Sequence, residues 1–167
     1  GEVLYVGPQA IEAGAQSKGA YWSTPGLTAD DLQHLKIGYP SAVSIGNLKL
    51  PNGNSGVVQL SMIGRMSHRN DETIQYQIVI DFRGFPAELP HAYVRVPSDS
   101  QIMHCNIYHA DRFRFAPRLN LCPICIGGYS STFCALERDR KQRLDCYLNQ
   151  LQYVLSNPNP NDTARCV

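Results

Sequence analysis

The residues from Thr73 to Phe82 carry the strongest structural pattern in the chain. Large apolar side chains occupy every second position there, and Gln75, Gln77 and Asp81 lie between them. Successive side chains of a β-strand point to opposite faces, so this alternation predicts a strand with one buried face. Such a strand needs neighbouring strands to pair with and a second layer to cover its apolar face.

Three other segments are predicted to be its partners. They are rich in β-branched or aromatic residues and are bounded by turn residues, as in the run from Pro51 to Asn54. The connections between them are short and polar, which favours an antiparallel meander of four strands. The predicted partner strands are Ala42–Leu50, Val57–Ile63 and Ala92–Val96.

Two helices are predicted on either side of the strands. Thr28 can cap a short helix, which Gly38 and Pro40 would end. Apolar residues recur at helical spacing from Leu144 to Leu155, and the run Asn157–Pro160 would stop that helix. The fold class predicted from these elements is α+β, with an irregular N-terminal segment over residues 1–27 and one domain over residues 28–167.

Length and charge narrow the class of partner. The chain has 167 residues and a formal net charge of +1, so no strong field would attract nucleic acid or an anionic membrane surface. No apolar run approaches the roughly 20 residues of a membrane span. We therefore expect neither nucleic acid nor membrane as a partner.

The stretch from Pro97 to Phe133 is predicted to be long and irregular, yet ordered. It contains the apolar residues Leu119, Leu121, Ile124 and Ile126, which should pack on the sheet. Structureless stretches of this length in compact domains are usually functional. This segment is therefore expected to form the site.

The cysteine pair Cys122 and Cys125 lies in that stretch, within Leu121–Ile126. A thiolate is a strong nucleophile and a soft metal ligand, so the pair could act in catalysis, hold zinc or form a redox pair. Four of the six cysteines fall between Cys105 and Cys134, which is typical of a metal or catalytic site in a reducing compartment and favours a cytoplasmic location.

The metal and redox interpretations are weaker than the catalytic one. Further zinc ligands would have to come from a set with irregular spacing. A redox pair is expected at the start of a helix in a fold of alternating strands and helices, whereas a meander is predicted here. The candidate further ligands are His104, Cys105, His109 and Cys134.

Two other motifs precede the cysteine pair. In His104-Cys105-Asn106, the asparagine amide could stabilise an oxyanion formed during acyl transfer. The run from Phe85 to Pro90 is by itself a proline-rich turn between strands.

Taken in order, these features resemble the ubiquitin-conjugating (UBC) enzyme family. That family has an N-terminal helix, a four-strand meander, an aromatic-Pro…Pro turn, a His-Pro-Asn motif and a cysteine between aliphatic residues. A later helix ends in a sequence of the Asp-Pro-Asn-Pro-Asp-Asp type. The matching residues here are Phe85-Pro86 with Pro90, His104-Cys105-Asn106-Ile107, Ile124-Cys125-Ile126 and the run from Leu151 to Asp162.

The resemblance implies a UBC-like fold and cysteine acyl transfer. A protein C-terminus would be carried as a thioester on Cys125 or Cys122, with Cys125 favoured by its two aliphatic neighbours, and would pass to a lysine of a target protein. Asn106 would stabilise the oxyanion and His104 would hold the loop. Asp111 or another nearby carboxylate would orient the lysine. No metal and no cofactor are expected for this chemistry.

The departures from the family pattern point to divergent bacterial relatives. Cys105 replaces the proline of the motif, residues Tyr108 to Arg118 form an insertion, and the tryptophan that usually follows the cysteine is absent. Some bacterial relatives act in antiphage (CBASS) operons, where they attach a cGAS-like nucleotidyltransferase to a target. The resemblance therefore implies such a nucleotidyltransferase as the partner that presents its C-terminus.

Two alternatives remain open at the level of sequence. The altered His-Cys-Asn motif is compatible with a catalytically inactive UBC-like module that only binds a partner. The pair Cys122 and Cys125 is compatible with a structural zinc domain.

Overall fold

The structure is a computed structural model that describes residues 24–113, 116–135 and 139–167. Most of the predicted N-terminal segment, residues 1–23, lies outside the described residues. The protein is α+β. Its helices are α1 (Ala29–Gly38), α2 (Tyr129–Ala135) and α3 (Arg140–Ser156), and its strands are β1 (Val43–Ser44), β2 (Val57–Arg65), β3 (Thr73–Asp81), β4 (His91–Val96), β5 (Asp111–Phe113) and β6 (Ala116–Pro123).

Helix α1 begins as its sequence predicts. The Thr28 hydroxyl accepts a hydrogen bond from the Asp31 N–H at 3.0 Å, and the Asp31 carboxylate accepts one from the Thr28 N–H at 3.0 Å. This reciprocal cap satisfies two backbone donors that the first turn leaves without partners. Arg140 binds the same carboxylate at 2.7 Å, so the starts of α1 and α3 are held together.

The strands form an antiparallel sheet in the order β1-β2-β3-β4-β6-β5. The β2–β3 ladder is the longest, and it runs from the Val57–Asp81 pair to the Arg65–Thr73 pair. Because the strand period is two, one face of this ladder is apolar, as the alternation in Thr73–Phe82 predicts. The strand predictions for Val57–Ile63, Thr73–Phe82 and Ala92–Val96 are confirmed with small changes at their ends.

The prediction of four strands is wrong, because the sheet has six strands within the described residues. The expected strand Ala42–Leu50 is reduced to the two residues of β1, and a 3₁₀ turn at Gly46–Leu48 follows it. The expected irregular stretch contains β5, β6 and α2. Pro117 and Pro123 lie in β6. Proline cannot donate a hydrogen bond to a neighbouring strand, so its presence in a sequence is evidence against a strand. The strand forms because its Cys122 and Pro123 pair with Val94 and Tyr93 of β4.

The main core lies between the sheet and α3. The apolar residues of α3 that recur at helical spacing, among them Leu144, Tyr147 and Leu151, are buried in one cluster with those of β2 and β3. Leu27, in the predicted irregular segment, is also fully buried there and bridges Ser55. Among the described helices, none is both long and apolar enough to cross a lipid bilayer.

Gly64 allows α3 to lie close to β2. A Cβ atom on Gly64 would come within 2.8 Å of both Cβ and the carbonyl oxygen of Leu155. Real Cβ atoms do not approach backbone this closely, so the absence of a side chain at Gly64 sets the distance between the two elements. This contact fixes the C-terminal end of α3, from which the candidate site is built.

Candidate functional site

Backbone hydrogen bonds hold the segment after β4 against the segment after β6. Ile107 and Ile124 form an antiparallel bridge, and the Tyr108 N–H donates to the Pro123 carbonyl at 2.8 Å. The Cys125 N–H donates to the Asn106 carbonyl at 2.8 Å. The structure therefore brings together Asn106 and Cys125, two of the predicted site residues that lie far apart in the sequence.

The two cysteines of the pair have different environments. Cys125 is half-buried, whereas the Cys122 side chain is buried in the core with 2% of its surface exposed. Burial, followed by the negative charge of Asp99, raises the pKa of the Cys122 thiol to about 11. A thiol of this kind is rarely ionised near neutral pH, so Cys125 is the better nucleophile of the two.

Tyr108 lies against Cys125. The Cys125 side chain, first as a hydrogen-bonding group and then through its charge, raises the pKa of the Tyr108 phenol. A neutral phenol can donate to a thiolate and stabilise it. No sequence motif marks Tyr108 for this role, because it opens the segment that stands as an insertion relative to the UBC pattern.

Asn106 joins the segment after β4, which we call the site loop (residues 104–108), to the segment that follows α3. Its side-chain carbonyl accepts a hydrogen bond from the Asn159 N–H at 2.8 Å, and its Nδ2 donates to Asp162 Oδ2 at 3.0 Å. Asn106 is buried, with 6% of its surface exposed. These contacts take one of the two Nδ2 hydrogens and leave the other for a further acceptor.

Asp162 is the carboxylate that the structure brings to the site. Its Oδ1 accepts the Ala164 N–H at 2.8 Å while Oδ2 binds Asn106, so the carboxylate is fixed at both oxygens. Its charge also contributes to the raised pKa of Tyr108. The candidate named from the sequence, Asp111, is exposed on β5. Asp162 could have been found from the run Leu151–Asp162, whose last residue it is.

His104 is fully buried and bridges two elements. Its Nδ1 accepts the Asn106 N–H at 3.1 Å, so its proton is on Nε2, which donates to the Leu155 carbonyl at 3.1 Å. Burial lowers the pKa of His104, which keeps the ring neutral. His104 therefore fastens the loop to the C-terminal end of α3.

Cys105 stands where the His-Pro-Asn motif of the UBC family has proline, and it makes a similar link. It is buried, and its thiol donates to the Asn159 carbonyl at 3.1 Å. Burial raises the pKa of this thiol, so it remains protonated and acts as a donor.

Arg165 holds the backbone of the site loop in place through hydrogen bonds. Its guanidinium is buried and donates to the carbonyls of Ile107 at 2.8 Å and Tyr108 at 2.9 Å, and it binds Asp99 at 2.6 Å. The bound Asp99 balances the charge of Arg165, so the pair adds rigidity without a net charge. Neither residue was singled out in the sequence.

The proline-rich turn packs on the start of α3. Phe85 is buried, and the Phe85–Pro86 peptide bond is cis. The guanidinium of Arg140 lies 5.4 Å from the centre of the Phe85 ring, and Arg143 donates to the Pro86 carbonyl at 3.2 Å. The turn therefore positions α3.

The proposed zinc ligands do not converge in the part of the chain that the structure describes. No three histidine, cysteine, aspartate or glutamate side chains come together there as a metal site would require. Both ring nitrogens of His104 are already bonded, and His109 binds Asp99 on the surface. The side chain of Cys134 lies outside the described residues.

Comparison with known proteins gives no relative: no protein-family model, no curated protein and no solved structure matches this chain significantly. The functional assignment therefore rests on the chemistry of the site around Cys125.

Proposed function

We propose that this protein is a ubiquitin-conjugating-like cysteine acyltransferase. Cys125 carries the C-terminus of a protein as a thioester and passes it to a lysine of a target. One observation carries the proposal: the backbone N–H of the half-buried Cys125 donates to the Asn106 carbonyl, and the Asn106 side chain binds Asp162. The Cys125 side chain also raises the pKa of the neighbouring Tyr108 phenol.

In the loading step, the Cys125 thiolate attacks an activated C-terminal carbonyl. A bond forms between the sulfur and the carbonyl carbon, and the bond to the leaving group breaks. The Tyr108 hydroxyl stabilises the thiolate before attack. The second Nδ2 hydrogen of Asn106 is available to the oxyanion, an interaction worth about 3 kcal/mol in other acyl transfers.

In the transfer step, a lysine amine attacks the thioester carbon. The amide bond forms, the bond to sulfur breaks, and Cys125 leaves as a thiolate. The amine must lose a proton, and Asp162 is suited to orient it or to accept that proton because hydrogen bonds fix both of its oxygens. Asp162 therefore takes the role that the sequence offered to Asp111.

The order of the motifs supports a UBC-like fold for this chemistry. The helix, the antiparallel strands, the proline turn, the His-x-Asn motif and the long helix follow each other as in that family, and the β5–β6 hairpin adds strands beyond the family's four. A cytoplasmic role in CBASS, with a cGAS-like nucleotidyltransferase as the carried protein, is the cellular setting that we propose on the same resemblance.

One observation favours the alternative of an inactive binding module. The Asn106 carboxamide already bonds Asn159 and Asp162, as expected of a purely structural side chain. Such a module would form no covalent adduct at Cys125, whereas the acyltransferase forms one.

The test is transfer from a synthetic peptide thioester that ends in glycine. The protein is incubated with it at neutral pH, and intact mass spectrometry reports the adduct. We expect an adduct that dithiothreitol removes, that is lost in Cys125→Ala and that persists in Cys166→Ala, where another exposed cysteine is removed. An adduct of equal extent on Cys125→Ala, or none on the unaltered protein, would contradict the proposal.

A further inference from the structure

A cavity of about 180 Å³ lies where the start of β4 meets the end of β6, against α3. Most of its walls are apolar, and they come from the start of β4 with the residues before it and from the end of β6 with the residues after it. An engineered cavity of about 150 Å³ in another protein holds benzene, so this one has room for a single ring. The apolar wall residues are Leu89, Pro90, Ala92, Pro123, Ile124 and Ile126.

Tyr147 brings a polar group into this apolar space. Its side chain comes from α3 and lines the cavity, with 1% of its surface exposed. Its hydroxyl has no hydrogen-bond partner among the residues that the structure describes. The hydroxyl is also not one of the buried side-chain atoms that lack a partner and are closed to a water-sized group. The small accessible part of Tyr147 therefore includes its oxygen, and a group in the cavity can reach it.

The Tyr147 hydroxyl is a hydrogen-bond donor at neutral pH. Burial, followed by the negative charge of Asp81, raises the pKa of this phenol, so the phenol stays protonated. Buried polar groups in folded proteins normally have a partner, and an exception of this kind indicates an ordered water or a ligand. A ligand that takes the place of water here must offer an atom that accepts the hydrogen bond.

The other polar walls favour a neutral ligand. The carboxylate of Asp111 lines the cavity, and so does the exposed His91 at the start of β4. The negative charge of Asp111 disfavours an anion, and the apolar walls disfavour the burial of a cation. A neutral, mainly apolar ring with one acceptor oxygen therefore suits the volume, the walls and the donor.

We infer that this cavity is a binding site for a small neutral aromatic group that accepts a hydrogen bond from the Tyr147 hydroxyl. The inference does not depend on the proposed acyl transfer, because the cavity and its donor exist whether or not Cys125 is a nucleophile. p-Cresol is the probe, since it is a single ring with one oxygen. Toluene has the same ring and methyl group without the oxygen, and it is the matched control ligand.

Titration of ¹⁵N-labelled protein with the two ligands tests the inference. We expect both to shift the amide resonances of Ala92, Ile124 and Ile126. Tyr147→Phe keeps the ring and removes the donor, so it should weaken p-cresol binding about fivefold, the value of one hydrogen bond, and leave toluene binding unchanged. Tyr153→Phe, the same change at an exposed position of α3, should bind both ligands as the unaltered protein does.

The variant Tyr147→Phe should remain folded. It removes a hydroxyl that has no partner among the described residues, so its urea unfolding midpoint should stay close to that of the unaltered protein. A change in p-cresol binding can therefore be assigned to the lost donor.

N-acetyl-L-tyrosinamide separates two sources of such a ring, because it carries the phenol of p-cresol on a piece of main chain. If it binds at least as tightly as p-cresol, the site takes a tyrosine side chain of a partner protein. If p-cresol binds and the tyrosinamide binds more weakly or not at all, the site takes a free small molecule.

Two results would overturn the inference. If neither ligand shifts these amides at concentrations up to about 10 mM, a range that detects weak binding by ligands of this size, the cavity holds only water. If Tyr147→Phe weakens the binding of both ligands equally, or of neither, the Tyr147 hydroxyl does not donate to the ligand.

Discussion

The Asn106 side chain donates to Asp162 at 3.0 Å and thereby ties the loop before Cys125 to the segment that follows α3. The same carboxamide accepts the Asn159 N–H at 2.8 Å. The backbone carbonyl of Asn106 accepts the Cys125 N–H at 2.8 Å, so this single buried residue links the proposed acyl-carrying cysteine to the proposed lysine-orienting carboxylate.

Removal of this link should destabilise the protein. Asn106→Ala leaves the Asn159 N–H and the Asp162 carboxylate without their partner, at a cost of about 1–3 kcal/mol in the free energy of unfolding. Urea unfolding measures it. Asn149→Ala, at an exposed position of α3, is the matched control and should change stability little. Equal midpoints for the two variants would show that the link contributes nothing.

Tyr108→Phe should slow the reaction of Cys125 with iodoacetamide. The variant loses the hydroxyl, which could stabilise the thiolate by donating to it, so we expect about a fivefold lower alkylation rate near neutral pH. Alkylation of the exposed Cys166 provides the internal reference within each sample. A rate at Cys125 that rises in the variant would mean that the phenol shields the sulfur instead.

The two cysteines of the pair should react in a fixed order. Cys122 is buried and its pKa is raised to about 11, so we expect iodoacetamide to modify it at least about tenfold more slowly than Cys125 in folded protein. Peptide mapping by mass spectrometry measures both rates. In urea-unfolded protein the rates should converge, and a difference that persists there would not be due to burial.

Stability at acid pH should depend on Asp99. Burial alone would raise the pKa of Asp99, but hydrogen bonds from Arg165 and the Ala110 N–H outweigh it and lower the pKa from 3.8 to about 2. The contribution is therefore present above the unfolded value of 3.8 and is lost as the pH falls through the folded pKa of about 2.

The variant Asp99→Asn tests this sign. It should be less stable than the unaltered protein at about pH 5, and the difference in urea midpoint should shrink as the pH falls towards about 2. A difference that stays constant over this range would show that the Asp99 charge is not involved.

Gly64→Ala should loosen the contact between β2 and α3. The new methyl group would meet Leu155 at 2.8 Å, so we expect a loss of about 1–3 kcal/mol in unfolding free energy. Gly46→Ala is the control, because nothing lies within 4 Å of a Cβ at that position. Thermal unfolding of both variants measures the difference, and equal transitions would contradict the close approach.

The sequence by itself determined the elements whose pattern is local. The alternation in Thr73–Phe82 identified β3, Thr28 with its acidic neighbours identified the start of α1, and the spacing from Leu144 to Leu155 identified α3. Periodicity and caps depend on residues a few positions apart, so one chain is enough to read them. The candidates Cys125, Asn106 and His104 were also named from their order in the chain.

Only the tertiary structure decided what depends on distant partners. Strand β6 contains prolines and forms because β4 pairs with it. The two aliphatic neighbours of Cys125 favoured it over Cys122 in the sequence, but only the burial of Cys122 in the core separates the two thiols chemically. Asp162, Tyr108 and Arg165 joined the site through contacts made across the fold. Burial and long-range hydrogen bonds arise from packing, which a local pattern does not encode.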